Sequence, residues 1–143
     1  MKTSSTGRVF IRDAEGEELT TYRYSAGVPT IGVGHTGPDV KMGMTITKAR
    51  SDALLVADLA RFEKAVVAAI KVPLTQSQFD ALVSLAFNIG ADAFSKSTLV
   101  RVLNGGYYDQ VGAQLARWNK VDGQPNRGLT SRRAREAAMF CAT

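Results

Sequence analysis

Cysteine is nearly absent from this chain of 143 residues, which has Cys141 alone. One cysteine allows no disulfide within the chain, so packing must stabilise the fold. Long apolar runs are absent too, and "MKTSSTGRVFIRD" has no stretch of the length that a signal peptide or membrane span needs. We therefore expect synthesis in the cytoplasm, no stable membrane insertion and no export by the chain itself.

The charge balance is basic, with 18 Lys and Arg against 13 Asp and Glu, a formal charge of +5. This balance favours a polyanionic partner, such as nucleic acid, an anionic membrane or an acidic cell wall. A nucleic-acid binder would interleave basic residues with exposed aromatics or carry a recognised reading motif. The sequence has neither, so we expect no nucleic-acid partner.

Periodicity predicts one β-hairpin in a largely helical chain. A short first helix ends at Gly16, and "TTYRY" and "VPTIGVG" then predict two antiparallel strands around a turn at Ser25, Ala26 and Gly27. An interrupted apolar stripe predicts a helix over residues 47–71, long enough to join two lobes. The pattern indicates a small lobe with the hairpin and a helical carboxyl-terminal lobe.

The helical lobe is predicted from capping and apolar spacing. A capping box of Thr75 and Gln78 begins its most regular helix, and shorter helices are predicted near 97–103 and 107–118. A final helix is predicted after Thr130. Its inward residues are predicted to be Ala134, Ala137, Ala138 and Cys141, and its outward residues Arg132, Arg133 and Arg135.

The string "GVGHTG" at 32–37 has the glycine spacing of dinucleotide-binding folds. In those folds a helix starts directly after the glycines, whereas here Pro38 and a turn follow, so we expect no cofactor. Glycines also allow a sharp turn and a close approach of a ligand to the backbone, for which a polymer is one candidate. A tight hairpin without a ligand is the simpler alternative.

Glu15 stands at the presumed end of the first helix. Unpaired carbonyls and the negative end of the helix dipole disfavour a charged carboxylate there. Burial against the hairpin would act in the same direction, and both effects favour the protonated form that a general acid needs near neutral pH. The alternative is an exposed helix-end residue without a function.

The segment "EGEELTTYRYSAGVPTIGVGHTG" resembles the active-site segment of the phage lysozymes, the endolysin muramidases of tailed phages. The family pattern is Glu-Gly, a leucine, a tyrosine and then Thr-Ile-Gly-x-Gly-His. It is matched here by Glu15, Gly16, Leu19, Tyr22, Thr30, Ile31, Gly32, Gly34 and His35. "GMTIT", "PLTQSQFDALVSLAFNIG", "STLVRVLN" and "GLTSRRAREAAMF" extend the resemblance over essentially the whole chain.

The resemblance implies a single lysozyme-like α+β domain over residues 1–143. One lobe would span roughly 12–60 and the other 1–11 plus 72–143, linked by the helix 47–71, with a cleft for a peptidoglycan strand. The implied enzyme is a monomeric endolysin. It would hydrolyse the β-1,4 bond between N-acetylmuramic acid and N-acetylglucosamine without metal or cofactor. Made in the host cytoplasm, it would reach the wall through a holin-type membrane lesion.

The same resemblance assigns roles to individual residues. Glu15 would be the general acid, and Thr30 would help to place the attacking water. Gly32, Gly34 and His35 would border the substrate. Because no partner ligands have suitable spacing, His35 is expected to pin the hairpin's end by hydrogen bonds and not to bind a metal.

Two arginines of the last helix are further candidates. By their pattern, Arg132 and Arg133 belong to a solvated helix face. The resemblance places this helix start near the acid, so one of the two could instead pair with Glu15 and hold its carboxyl group in place. The sequence does not choose between them.

Tyr24 departs from the family, which usually has Asp or Cys at this position. A phenol is uncharged at neutral pH and is no ready-made base. Tyr24 with Thr30 could orient the water, another carboxylate such as Asp13, Glu18 or Asp39 could substitute, Tyr24 could act as a nucleophile, or hydrolysis could be largely lost. We expect an active muramidase, with hydrolysis either at full rate or weakened. The alternative is an impaired peptidoglycan-binding or virion structural protein.

Overall fold

The computed structural model describes residues 1–24 and 27–142 and has a mainly helical α+β architecture. The predicted fold class is thereby confirmed. Ser25 and Ala26 of the predicted turn, and Thr143, lie outside the described residues. The elements, in chain order, are α1 (Ser5–Glu15), β1 (Glu18–Arg23), β2 (Pro29–Gly32), α2 (Lys48–Ala69), α3 (Gln76–Ile89), α4 (Ala91–Ser95), α5 (Thr98–Asn104), a 3₁₀ helix (Tyr108–Gln110), α6 (Val111–Ala116), β3 (Lys120–Val121), β4 (Gln124–Pro125) and α7 (Arg127–Cys141).

The chain forms two compact units. The hairpin unit is Arg8–Ala60, and the helical unit is Met1–Gly7 together with Arg61–Thr143. Helices α1 and α2 contribute residues to both units. No helix in the described part of the chain combines the length and the apolar character needed to cross a membrane.

In the hairpin unit, β1 pairs antiparallel with β2, and Tyr22 lies opposite Thr30. The other edge of β1 bonds to the segment 44–46, where the Thr21 N–H donates to the Met44 carbonyl at 3.0 Å. This third stretch of the sheet was not predicted, because it lies among turn residues. The unit's core consists of Ile31, Val40 and Leu54, with Met44 and Ile46 packed against it.

The helix α2 begins where its N-cap residue satisfies a free backbone donor. The hydroxyl of Thr47 accepts from the Arg50 N–H at 3.1 Å. At the other end, the side chain of Asn104 donates to the Ala69 carbonyl at 2.8 Å. The helix predicted over 47–71 is therefore two residues shorter at its carboxyl end and starts one residue later.

In the helical unit, α3 begins with the predicted capping box of Thr75 and Gln78, which is confirmed. The chain from 107 to 118, predicted as one helix, is instead a 3₁₀ helix followed by α6. The hairpin of β3 and β4 was not predicted at all. Its turn contains Asp122 at a positive φ of 50°, an uncommon conformation outside glycine.

Two predictions for α7 are wrong, namely its first residue and its buried face. The helix begins at Arg127, where the side chain of Asn126 accepts from the Leu129 N–H at 2.9 Å, and not after Thr130. Turn residues on both sides of this cap, including Gly128, hide it in the sequence. The buried face is also the opposite of the predicted one. It consists of Arg132, Arg133, Glu136 and Phe140, whereas Ala134, Ala138 and Cys141 are exposed and Ala137 is half-buried.

Candidate active site

Glu15 is the last residue of α1 and is exposed. The helix stops there because Gly16 adopts a φ of +83°, a left-handed conformation that glycine reaches without strain. The Gly16 N–H donates to the Arg12 carbonyl at 2.7 Å and closes the last turn. The carboxyl group is thus presented at a fixed helix end, as the sequence predicts.

The structure brings Glu15 close to three residues of β1 and its end. Partial burial raises the pKa of Tyr22, and the neighbouring groups of Glu18, Tyr24 and Glu15 raise it further. Tyr22 also lies opposite Thr30 in the hairpin, so Glu15, Tyr24 and Thr30 are each related to this one tyrosine. This grouping is the core of the candidate active site.

Thr30 is buried, with 3% of its surface exposed. Its hydroxyl donates to the Val28 carbonyl at 3.0 Å. A hydroxyl has one proton and two lone pairs, so Thr30 retains acceptor capacity after this bond. The geometry allows it to accept a hydrogen bond from a water molecule and so to orient that water.

Tyr24 directly follows β1 and has 65% of its surface exposed. Its N–H donates to the Val28 carbonyl at 3.0 Å, which fixes the backbone beside Thr30. The phenol is therefore available to a ligand.

The three carboxylates considered as substitutes for a family aspartate differ in their surroundings. Asp39 lies 3.0 Å from the His35 ring, and this hydrogen bond lowers the pKa of Asp39. Asp13 and Glu18 are both exposed. Glu18 is close enough to Tyr22 to raise the pKa of that phenol.

Two glycines, one at the end of β2 and one just after it, shape the backbone that is predicted from the sequence to border a substrate. Gly32 and Gly34 both have positive φ, at 67° and 68°. A Cβ at Gly32 would approach the Ser51 hydroxyl to 3.1 Å, whereas a Cβ at Gly34 would meet nothing within 4 Å. A side chain at Gly32 would therefore crowd Ser51 as well as strain the backbone, whereas Gly34 leaves open space beside the backbone.

His35 joins the hairpin's end to α2. Its Nδ1 lies 2.7 Å from Asp58, and its Nε2 lies 3.0 Å from Asp39. Burial by itself would lower the pKa of His35, but the hydrogen bonds and charges of Asp58 and Asp39 outweigh it and raise the pKa. Among the described residues, no group of three His, Cys, Asp or Glu is arranged to hold a metal ion.

Arg132 and Arg133 lie in the interior and not on a solvated face, contrary to the prediction from their pattern. Arg133 lies 2.8 Å from Glu136, and Arg132 lies 3.3 Å from the same carboxylate. Burial raises the pKa of Glu136, and Arg133, Ser84 and Arg132 oppose this rise. The pairing of either arginine with Glu15 stays a prediction.

The helical unit also contains a pocket of about 470 Å³ that sequence reasoning missed. It is lined by Asn88, Ile89, Arg117, Trp118, Lys120 and Leu129. Arg117 and Trp118 also line a smaller hollow of about 210 Å³. The sequence held a weak signal for this pocket, since the lone tryptophan stands among basic residues in "ARWNK".

Comparisons with known proteins agree over nearly the whole chain. The family model described as phage lysozyme matches residues 12–136. The endolysin of Salmonella phage P22 is 45% identical over 144 residues, which covers 98% of each chain. A crystal structure of a P22 lysozyme mutant superposes with a TM-score of 0.94 at 44% identity, and the muramidase domain of SpmX from Asticaccaulis excentricus with 0.92 at 36%; each match covers 99% of both chains. The predicted lysozyme-like fold is thereby confirmed.

Proposed function

Because the chain belongs to the phage lysozyme family and is an endolysin glycosidase that hydrolyses peptidoglycan, we propose that Glu15 is its general acid. The observation that carries this proposal is the position of Glu15 at the end of α1, close enough to Tyr22, the strand partner of Thr30, to help raise the pKa of Tyr22. In this role Glu15 gives its proton to the glycosidic oxygen as the bond from the sugar C1 to that oxygen breaks.

The attacking water is oriented by Thr30 and Tyr24. The Thr30 hydroxyl accepts a hydrogen bond from this water, since the hydroxyl's own proton is already donated to the Val28 carbonyl. The exposed Tyr24 hydroxyl supplies a second contact. As the water oxygen bonds to the sugar C1, the water's proton passes to bulk solvent, because neither group takes it as a carboxylate would. Losing a general base costs a factor of about 10² to 10⁴ in rate. The enzyme is therefore weakened relative to a member with aspartate at position 24.

The substrate lies along the backbone after β2. Gly34 leaves room for a sugar ring beside the chain, and Gly32 sets the course of the backbone. His35 contributes by holding this segment in place through Asp58 and Asp39, because both of its ring nitrogens are already engaged. It acts as a support for the substrate-binding backbone.

The test is hydrolysis of purified, dye-labelled peptidoglycan by the wild-type chain and a Glu15→Gln variant. The variant keeps the size of the side chain but lacks the proton, so we expect a rate loss of about 10² to 10⁴. Asp109→Asn is the matched control, because Asp109 is an exposed carboxyl residue of the helical unit with no proposed part in the reaction. Equal rates for Glu15→Gln and the wild type would remove the assignment.

The endolysin acts at the cell wall as a monomer released by a holin-type lesion. A positive net charge of +5 favours association with an anionic wall. Expressed alone in Escherichia coli, the protein should leave cells intact until the inner membrane is permeabilised, and culture turbidity measures this. Rapid lysis without permeabilisation would contradict the release route, and a dimer mass in sedimentation analysis would contradict the monomer.

A further inference from the structure

The carboxylate of Glu17 turns inward from a stretch of chain that is otherwise open to solvent. Glu15, Gly16 and Glu18 around it are exposed, whereas only 13% of the Glu17 side chain is accessible. Taking a carboxylate out of water costs free energy, and an apolar side chain would pack there at least as well. The position of Glu17, two residues after the proposed acid, therefore points to a role other than packing.

One oxygen of Glu17 contacts two groups from different helices. Ser51, a fully buried residue of α2, donates its hydroxyl to Oε2 at 2.7 Å. Nε of Arg12, in α1, lies 3.5 Å from the same oxygen. A hydrogen bond to an ionised acceptor is among the stronger ones in proteins, and the guanidinium adds charge attraction. Glu17 thereby connects α1 and α2 from its place just before β1.

Arg12 ties the chain on the other side of Glu15 to the same part of α2. Its Nη2 donates to Oδ1 of Asp52 at 2.8 Å, and Asp52 directly follows Ser51 in the sequence. Glu15 thus lies in a segment that is held at both ends. The start of this segment, at Arg12, and its end, at Glu17, are bound by two adjacent residues of α2.

The end of a helix is where such contacts have the largest effect on position. The last turn contains carbonyls without a partner inside the helix, and helix ends fray. Gly16 follows with a φ of +83° and has no side chain to limit its rotation. The bonds of Glu17 restrict the backbone after this glycine and so restrict the carboxyl group of Glu15. A general acid must reach the oxygen that it protonates, and a displacement of about 1 Å can cost about 10²-fold in rate.

We propose that Glu17 is a positioning residue that holds the carboxyl group of Glu15 where the glycosidic oxygen is protonated. The inference rests on the proposed function, because the proton donor is Glu15. In this role Glu17 touches no reacting atom and transfers no proton. Its anchor also borders the substrate-binding backbone, since a Cβ at Gly32 would come within 3.1 Å of the Ser51 hydroxyl. The same hydroxyl therefore links the position of the acid to the position of the substrate.

The first experiment measures kcat and KM for soluble peptidoglycan strands with the wild type and Glu17→Ala. We expect kcat to fall about 10- to 100-fold, because the acid loses its fixed position, and KM to stay within about twofold. Glu17→Gln can still accept the Ser51 hydroxyl but is uncharged beside Arg12, so it should recover part of the loss. Asp109→Ala, at an exposed carboxyl residue of the helical unit, is the control. A wild-type kcat for Glu17→Ala would overturn the proposal.

A double-mutant cycle separates positioning from folding. Added to Glu15→Gln, the substitution Glu17→Ala should change the residual rate by less than about twofold, because the acid that it positions is already missing. A merely structural role would lower the rate by the same factor in both backgrounds, and that result would contradict the proposal. The residual rate is measured by liquid chromatography of the muropeptides released during long incubations.

The outcomes also distinguish this proposal from the proposed function. Should Glu15→Gln be slow while Glu17→Ala lowers the rate equally in both backgrounds, the positioning role fails and the catalytic assignment stands. Should Glu15→Gln be as fast as the wild type, both fail together. If denaturant unfolding shows that Glu17→Ala does not fold, Glu17→Gln is taken through the same cycle and decides the question.

Discussion

One group of ionisable side chains in each unit has surroundings opposite to those of the other group. In the hairpin unit the candidate acid Glu15 is exposed, as are Glu18 and Tyr24 near it. In the helical unit Glu136 is fully buried, and two arginines with no more than 4% exposure surround it. A glutamate carboxyl group is therefore exposed to solvent in the hairpin unit and buried away from solvent in the helical unit.

This difference separates chemistry from positioning. A group that gives a proton to a substrate must reach both the substrate and the solvent that restores the proton. A buried carboxylate between two guanidinium groups cannot exchange protons readily, but it holds its partners in fixed orientations. On the proposed assignment, the exposed carboxyl group of Glu15 in the hairpin unit serves the reaction, whereas the buried charges of Glu136, Arg132 and Arg133 in the helical unit hold one another in place.

The largest expected effect comes from breaking the buried cluster. Glu136→Gln removes the buried carboxylate that Arg132 and Arg133 share, so the free energy of unfolding should fall by about 3 to 5 kcal/mol. The control is Asp52→Asn in the hairpin unit, where Asp52 pairs with Arg12 at 2.8 Å and its side chain is 42% exposed. It should cost no more than about 1 kcal/mol. Denaturant unfolding measures both, and equal losses would contradict the comparison.

The next effect concerns activity in the hairpin unit. Tyr24→Asp supplies a carboxylate beside Thr30, so the rate of peptidoglycan hydrolysis should rise by a factor of about 10² or more. Tyr24→Phe is the control, because it removes the hydroxyl and should lower the rate without unfolding the exposed end of the strand. If neither variant changes the rate, another group such as Glu18 handles the water.

The sequence predicts the elements that carry Glu15 and Thr30 better than it predicts the helical unit's interior. Glu15, Gly16 and Thr30 are close in the chain, and turn and capping rules place them locally. The burial of Arg133 could not be predicted, because Glu136 neutralises it and the hydrophobic period of α7 then favours the wrong face. The pocket depends on Asn88 and Trp118, which are distant in sequence, and only the folded chain brings them together.

A smaller effect should appear in the pH dependence of stability. The pKa of His35 is higher in the folded protein than in the unfolded chain, because Asp58 and Asp39 stabilise the protonated ring. Protonated His35 therefore stabilises the folded state. This contribution is complete below the unfolded pKa of about 6.5 and is lost as the pH rises through the higher folded value. The pKa of Asp39 is lowered, so its contribution disappears as the pH falls through that folded value.

The measurement is the melting temperature of the wild type and of His35→Asn as a function of pH, from acidic to alkaline solution. The gap between the two proteins should be widest near pH 6, about where His35 is charged and Asp39 is ionised, and should narrow in alkaline solution. In an Asp58→Asn background, His35→Asn should change the melting temperature less, because Asp58 holds Nδ1 of His35. A gap that is constant with pH would show that His35 stabilises the hairpin unit by packing alone.

The smallest effects are expected at helix caps, where the two units should behave alike. Thr47 accepts one backbone N–H at 3.1 Å and Thr75 accepts one at 3.2 Å, and both residues are exposed. Replacing either by alanine should cost about 1 kcal/mol of unfolding free energy. Gln78→Ala should add a few tenths of a kcal/mol in the helical unit, because its side chain accepts the Thr75 N–H. Similar costs for the two threonines would show that the units differ in their long-range charge pairs and not in how their helices begin.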